Sequence, residues 1–187
     1  MKINNTPIDG LKTIDPKIFG DERGFFFESY NKQKLEKNLD RPLEFIQDNH
    51  SRSCQGVLRG LHFQRGMHAQ CKLVRVVMGE IFDVAVDIRI GSPTFGCWHG
   101  EFLSAENKRQ FLIPEGFAHG FLTLSNIADV LYKTTANWYP ASEGCLRWDD
   151  PTLAIAWPKH GALILSEKDK KGLNFSELTS FLQTPFE

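Results

Sequence analysis

At 187 residues and a net charge of −1, the chain is sized for one domain and has no general electrostatic pull toward nucleic acid or an anionic membrane. Hydrophobic content of 41% and charged content of 24% are ordinary for a soluble globular protein. A domain this long buries roughly 70% of its unfolded surface, so it needs no disulfide or metal staple.

Cys54, Cys71, Cys97 and Cys145 are far apart and form no CxxC pair, so they read as small buried hydrophobes with free thiols rather than as a zinc site or disulfide framework. The start, Met1 to Pro7, has no apolar signal core, and no stretch approaches membrane-spanning length. A reduced, cytoplasmic setting is therefore expected. Fifteen Phe, four Trp and three Tyr make a heavy aromatic load, suited to β-strands and to platforms for flat ligands.

Residues 8–20 are mixed, with Pro16 and Gly20 as punctuation, and Asp21 to Gly24 form a turn signal. Residues 25–30 read as a strand, and Asn31 caps a short helix through Lys37 that Arg41-Pro42 ends. A strand is expected over 43–49, running into a polar loop over 50–55. Strand runs follow at 57–64 and 71–78, with a tight turn at Gly79-Glu80. From Ile81 to Arg89, Phe82, Val84, Val86 and Ile88 share one face, and Asp83, Ala85, Asp87 and Arg89 the other. Further short strands are expected at 97–103, 111–113, 118–124 and 129–135, separated by Gly and Pro turns. This spacing indicates an all-β sandwich or barrel. In the tail, Ser166 opens a helical turn, and Phe175, Leu178, Phe181 and Leu182 fall at helical spacing over 175–183.

Polar groups recur in the best strand-forming stretch, residues 54–89: Arg59, His62, Lys72 and Asp83. Such strands suit a sheet wrapped around a polar ligand. His62 and His119 supply imidazoles, the side chain whose unperturbed pKa lies near neutrality, although a lone histidine near a core is more often structural. Strict period two puts Arg59 and His62 on opposite faces, and a bulge at Gly60 would bring both inward. No second imidazole stands two residues from His62, so the spacing offers no compact metal-ligand set. No nucleophile elbow, P-loop or dinucleotide fingerprint is present, which leaves acid/base chemistry as what these residues can do unaided.

Several motifs occur together and in order: Gly20-Asp21-Glu22-Arg23-Gly24-Phe25-Phe26-Phe27-Glu28, Gln47-Asp48-Asn49-His50-Ser51, Gly56-Val57-Leu58-Arg59-Gly60-Leu61-His62, Ile113-Pro114-Glu115-Gly116-Phe117-Ala118-His119-Gly120-Phe121, Tyr132-Lys133-Thr134 and Arg147-Trp148-Asp149-Asp150-Pro151. With Lys72 to Val76, Phe82 to Arg89 and Ser92 to Gly96, they closely resemble the dTDP-4-dehydrorhamnose 3,5-epimerase family from about residue 8 to the end. The resemblance implies a cupin-type β jelly roll, here with short C-terminal helices, a homodimer, and no cofactor or metal. It implies a dTDP-4-keto-6-deoxysugar substrate inverted at C3 and C5, both α to the ketone. By the same resemblance His62 matches the base, Asp169 its orienting acid, Tyr132 the acid on the other face and Lys72 the group facing the enolate oxygen. Gln47, Asn49, Arg59, His119, Trp138 and Glu143 match substrate contacts. Arg23, Phe26 and Glu28 match nucleotide contacts that reach the site from the partner subunit.

Taken without the family, each of these residues has a structural reading: Lys72 as a solvated strand residue, Tyr132 as core, Asp169 as a helix start. The chain departs from the family at Cys71, where Gly is usual, at Gly66-Met67-His68, and at Trp138, usually Tyr, which can stack on thymine but offers no hydroxyl. Three rival readings stay open: a 3-epimerase, a metal-dependent cupin enzyme, and a non-catalytic sugar-nucleotide-binding barrel.

Overall fold

A computed structural model of the chain describes residues 1–39, 41–159 and 161–184. Strands β1 (Lys2–Asn5) and β2 (Lys12–Asp15) are followed by the hairpin β3 (Ile18–Asp21) and β4 (Gly24–Phe27), then helix α1 (Lys32–Leu39). The central run comprises β5 (Gln47–Cys54), β6 (Leu58–Gln64), β7 (Lys72–Met78), β8 (Glu80–Asp87), β9 (Trp98–Ser104), β10 (Gln110–Ile113), β11 (Phe117–Thr123) and β12 (Ile127–Thr134). The short β13 (Glu143–Cys145) precedes helices α2 (Glu167–Lys170) and α3 (Phe175–Gln183).

These strands form a six-stranded sheet in the order β1-β2-β10-β7-β12-β5 and a five-stranded sheet in the order β13-β6-β11-β8-β9, with β3-β4 as a separate ribbon. Every pairing between named strands is antiparallel. The architecture is the cupin-type jelly roll that the motifs imply, with the short helices at the C-terminus.

Three apolar clusters explain which residues face where. Val74, Val76, Ile81, Ala85, Phe111, Phe117, Phe121 and Val130 fill the space between the two sheets. The outer face of the five-stranded sheet buries Leu61, Phe63, Phe82, Val84 and Val86 against Leu146, Leu153 and Leu178. The outer face of the six-stranded sheet buries Leu73 and Leu112 against Leu35 of α1 and Leu43. The two faces read along 81–89 are therefore both buried: Phe82, Val84 and Val86 lie under α3, while Ile81 and Ala85 join the inter-sheet core.

The expected strand over 43–49 and loop over 50–55 need correction, because the strand runs over Gln47–Cys54. It has no apolar period to read: Gln47, Asn49, Ser51 and Ser53 alternate with the exposed Asp48, His50, Arg52 and Cys54. An unbroken ladder to β12, from Gln47↔Thr134 to Cys54↔Ile127, imposes strand geometry instead. β1 and β13 are also too short and polar to signal themselves in the sequence.

The bulge at Gly60 is present. On β11, His119 and Phe121 are two residues apart, yet they pair with His62 and Arg59, which are three apart on β6. Gly60 is the extra residue, at φ +116, and a Cβ there would lie 2.6 Å from both the Gly120 Cα and the His119 carbonyl oxygen. Only glycine fits this crossing. The bulge changes the face on which Arg59 lies relative to His62, so both line one cavity.

Helix α3 holds the tail against the sheet. Asn174 and Glu177 form a capping box at its start, Leu178 is fully buried, and Arg65 of the main sheet region donates hydrogen bonds to the Phe181 and Thr184 carbonyls at its end. Leu178→Ala is expected to lower the unfolding free energy by about 2–5 kcal/mol in urea titration, as for other buried leucines. A change within about 0.5 kcal/mol would mark α3 as a solvated appendage.

Candidate active site

The strands flanking the inter-sheet space change character along their length. On β12, the inward residues run Ala128, Val130, Tyr132 and Thr134; on β7 they run Val76, Val74 and then Lys72. The apolar ends make the core. The polar ends, with β5, β6, β11, β13 and α2, line a cavity of about 380 Å³. That volume lies within the usual range of small-molecule sites.

Ten of the thirteen residues singled out from the sequence meet here: Gln47, Asn49, Arg59, His62, Lys72, His119, Tyr132, Trp138, Glu143 and Asp169. The remaining three do not reach the cavity of their own chain. Arg23 and Phe26 sit on the exposed β3-β4 ribbon, and Glu28 is held by Asn31 and Lys34 beside it.

His62 and Asp169 form the centre of the site. His62 Nε2 lies 2.7 Å from Asp169 Oδ1, across 107 positions of sequence, where a helical turn meets a strand. Ser166, the N-cap of α2, donates its hydroxyl to Asp169 Oδ2 at 2.7 Å, and the Gly60 amide donates to Oδ1 at 3.3 Å. Burial works to raise the Asp169 carboxyl, but these hydrogen bonds, that from His62 first, outweigh it and hold the carboxyl below its usual value. An ionised Asp169 fixes Nε2 as the protonated nitrogen of neutral His62. Nδ1 then carries the lone pair. It is buried without a hydrogen-bond partner, 3.5 Å from Glu143 Oε1.

Glu143 has other contacts on its second oxygen. Lys168 Nζ lies at 2.5 Å and Trp138 Nε1 donates at 3.0 Å. Burial alone would raise its carboxyl, and these two groups reverse the shift to a net lowering. Trp138, which lacks the hydroxyl of the usual Tyr, thus supplies an indole N–H while its ring stays 60% exposed at the cavity mouth.

On the facing wall, from the six-stranded sheet, stand Lys72 and Tyr132, while His119 of β11 sits beside His62 on the same wall. Burial pushes the Lys72 ammonium down to about 8, against the nearby charges of Asp83 and Glu143. Burial pushes the Tyr132 phenol up, although the Arg59 cation works against it, so the hydroxyl keeps its proton near neutrality. His119 Nε2 is 2.6 Å from Asp83 Oδ1 in a fully buried pair. Burial lowers the His119 value and outweighs the opposing pull of Asp83, so this imidazole is neutral and its Nε2–H is donated to Asp83. Arg59 is braced by bonds from Nε to Ser53 Oγ, 3.0 Å, and from its guanidinium to the Arg52 carbonyl. Among the described residues no carboxylate pairs with Arg59, so one side of the guanidinium is available to an anion.

Sequence reasoning passed over nine other lining residues, of which Gln64, Lys168 and Ser166 make contacts that shape the site. Gln64 ties the 137–139 loop by donating to the Asn137 and His68 carbonyls and accepting from the Tyr139 amide. Lys168 and Ser166 belong to a turn that read only as a helix start. A signal was available: Ser, Lys and Asp at 166, 168 and 169 put a hydroxyl, a cation and a carboxylate in one turn.

The fold also gathers a metal-ligand grouping that close sequence spacing did not show. His62, Cys145 and Asp169 offer ligand atoms within 4.8 Å of one another. Cys145 faces His62 across the β13-β6 pairing, and burial pushes its thiol up to about 12.

As chemistry, the cavity offers an imidazole base held by a carboxylate, a proton-bearing phenol, a desolvated ammonium and an arginine suited to phosphate oxygens. This is a set for moving protons next to a carbonyl in an anionic ligand.

The sequence matches the family model described as dTDP-4-dehydrorhamnose 3,5-epimerase over residues 5–177. It is 56% identical over 181 residues to the dTDP-4-dehydrorhamnose 3,5-epimerase of Pseudomonas aeruginosa, covering 97% of this chain and 99% of that one. Its identity to the Salmonella typhimurium enzyme of the same name is 59% over 169 residues, 90% of this chain and 92% of that one. The crystal structure of dTDP-6-deoxy-D-glucose-3,5-epimerase from Legionella pneumophila, in complex with dTDP-4-keto-L-rhamnose, superposes with a TM-score of 0.94 at 53% identity, covering 100% of this chain and 98% of that one. The chain belongs to the dTDP-4-dehydrorhamnose 3,5-epimerase family.

Proposed function

We propose that this protein is an isomerase that converts dTDP-4-dehydro-6-deoxy-D-glucose to dTDP-4-dehydro-L-rhamnose by inverting C3 and C5. The observation that carries the reading is the convergence of the His62–Asp169 pair, Tyr132 and Lys72, from four separate segments, on one cavity. Family membership and the product-like ligand in the Legionella neighbour support the substrate class.

The C4 ketone acidifies the protons on C3 and C5. In this reading His62 Nδ1 takes such a proton, and the imidazolium formed is flanked by Asp169 on Nε2 and Glu143 on Nδ1. The electron pair left behind moves onto the ketone oxygen, where the Lys72 ammonium stabilises it. Tyr132 returns a proton to the carbon from the other face, and its raised value suits it to hold that proton until it is needed. Arg59 takes the diphosphate, with its planar fork matched to two oxygens at once. His119, kept neutral by burial with its Nε2–H on Asp83, accepts a hydrogen bond from the sugar at Nδ1. No step calls for a redox group, and the reaction is expected to run without a cofactor or metal.

The same reading makes the protein a one-domain, cytoplasmic homodimer. Among the described residues, no helix is long and apolar enough to cross a membrane. The β3-β4 ribbon bears Phe25 at 63% and Phe26 at 70% exposure, a pair of aromatic rings whose burial would favour association. Delivered to a second subunit, this ribbon would bring Arg23, Phe26 and Glu28 to the thymidine end of the partner's cavity.

The direct test is stereochemical: NMR of the product from dTDP-4-dehydro-6-deoxy-D-glucose is expected to show inversion at both carbons. Inversion at C3 alone would make the protein a 3-epimerase. Lys72→Ala should lower kcat/KM by about 10²–10³, the usual loss for one preorganised oxyanion donor. Because Lys72 must be charged and its value lies at about 8, activity should hold below that pH and fall as pH rises through it. An alkaline limb only near 10 would contradict a buried, working Lys72. For the shared site, co-expressing Arg23→Ala with His62→Ala should restore turnover that neither variant has alone, since one of the two sites in a mixed dimer is intact. Failure to recover turnover in a verified mixed dimer would show that Arg23 does not act across the interface.

A further inference from the structure

We propose that His62, Cys145 and Asp169 form an inhibitory site for a thiophilic divalent cation, with Zn²⁺ as the best match. The ion would switch off proton transfer by occupying the base.

Three observations point to this site. The three ligand atoms lie within 4.8 Å of one another, with Cys145 Sγ 4.0 Å from Asp169 Oδ1. They come from two paired strands and a capped helical turn, so the grouping is held by the fold rather than by flexible surface chains. His62 and Asp169 line the cavity, which gives an ion a route in and leaves a fourth position open to water. One thiolate, one imidazole and one carboxylate make a donor set that zinc favours, and hard cations such as Mg²⁺ do not.

The charges also balance. A thiolate, a carboxylate and a neutral imidazole around a dication sum to zero, which suits a site that is largely out of water. With donor bonds of about 2.0–2.2 Å, His62 Nε2 and Asp169 must open from 2.7 Å to roughly 3.4 Å, a small side-chain rotation.

Proton accounting explains the inhibition. On binding, Cys145 loses its thiol proton to solvent, and the His62 proton moves from Nε2 to Nδ1. Bonds form from the ion to sulfur, to Nε2 and to the carboxylate, and one proton is released per ion. Nδ1, now carrying hydrogen, has no lone pair left to accept a substrate proton. Its N–H gains an acceptor in Glu143 Oε1, 3.5 Å away, in place of its present lack of a partner. Asp169 keeps the bonds from Gly60 and Ser166. Ion binding rests on this geometry alone. Inhibition rests in addition on His62 being the base of the proposed epimerisation.

The test uses Co²⁺ as a spectroscopic probe and Zn²⁺ as the inhibitor, on metal-free full-length protein. Co²⁺ should give a thiolate charge-transfer absorption in the near ultraviolet, absent in Cys145→Ala and Cys145→Ser. Zn²⁺ should inhibit epimerisation reversibly on chelation. Cys145→Ala should turn over normally without metal yet need at least about 100-fold more Zn²⁺ for equal inhibition, since even losing an outer-shell partner costs up to that much in affinity. Cys54→Ala, which alters an exposed thiol, should stay as sensitive as the unaltered protein. No cobalt–thiolate band, or equal Zn²⁺ sensitivity in both Cys145 variants, overturns the site. A band without any effect of Zn²⁺ on turnover overturns the inhibition alone. A band in protein that has no epimerase activity leaves the site standing and refutes the epimerase reading instead.

Discussion

The contact between His62 and Asp169 is the constraint on which the rest of the site depends. It joins β6 to the helical turn α2 near the end of the chain, so the imidazole has no carboxylate partner until the tail is folded. The tail is held accordingly. Ser166 caps its turn and bonds the Asp169 carboxylate, α3 buries Leu178 under the sheet, and Arg65 anchors the end of α3. Packing far from the chemistry therefore sets the position of one oxygen atom. Removing His62 is costly because the buried Asp169 carboxylate loses a hydrogen-bond donor. The pair stabilises the closed tail as well as orienting the base.

A second constraint is the crossing at Gly60 and Gly120. Without the extra residue at Gly60, Arg59 and His62 would lie on opposite faces, and the guanidinium would be separated from the imidazole by the thickness of the sheet. The close approach of the two strands admits no side chain at Gly60. Backbone geometry thus does what side-chain chemistry cannot, placing two functional residues on one wall. The barrel supplies the other wall by letting each strand change from apolar to polar along its length. Lys72 and Tyr132 are consequently desolvated by the core itself, and this burial depresses one value and raises the other. In the proposed reaction both shifts serve proton transfer beside a ketone.

Much of this was legible in the sequence where a residue's role follows from local pattern. The alternation over 81–89, the strands on either side of residue 70, the bulge at Gly60 and the helix over 175–183 were all readable, because side-chain period and Gly placement act over a few residues. β5 was misplaced because both of its faces are polar. One looks into the cavity and the other into solvent, so no hydrophobic period marks it. The pairing of His62 with Asp169 came from resemblance to a family, since no local rule links positions 107 residues apart. Nor does any local rule place Cys145 beside both. That neighbourhood is set by the register of β13 on β6, and β13 is three residues long. Lys168 was passed over because a cation in a helical turn is most often solvated.

The central claim is that His62, held by Asp169, removes protons from carbons flanking the C4 ketone. It is tested most directly by NMR of solvent deuterium incorporation into dTDP-4-dehydro-6-deoxy-D-glucose in deuterated water. The account predicts enzyme-dependent exchange at both C3 and C5, and loss of exchange at both in folded His62→Ala. Exchange at undiminished rate in that variant would contradict it.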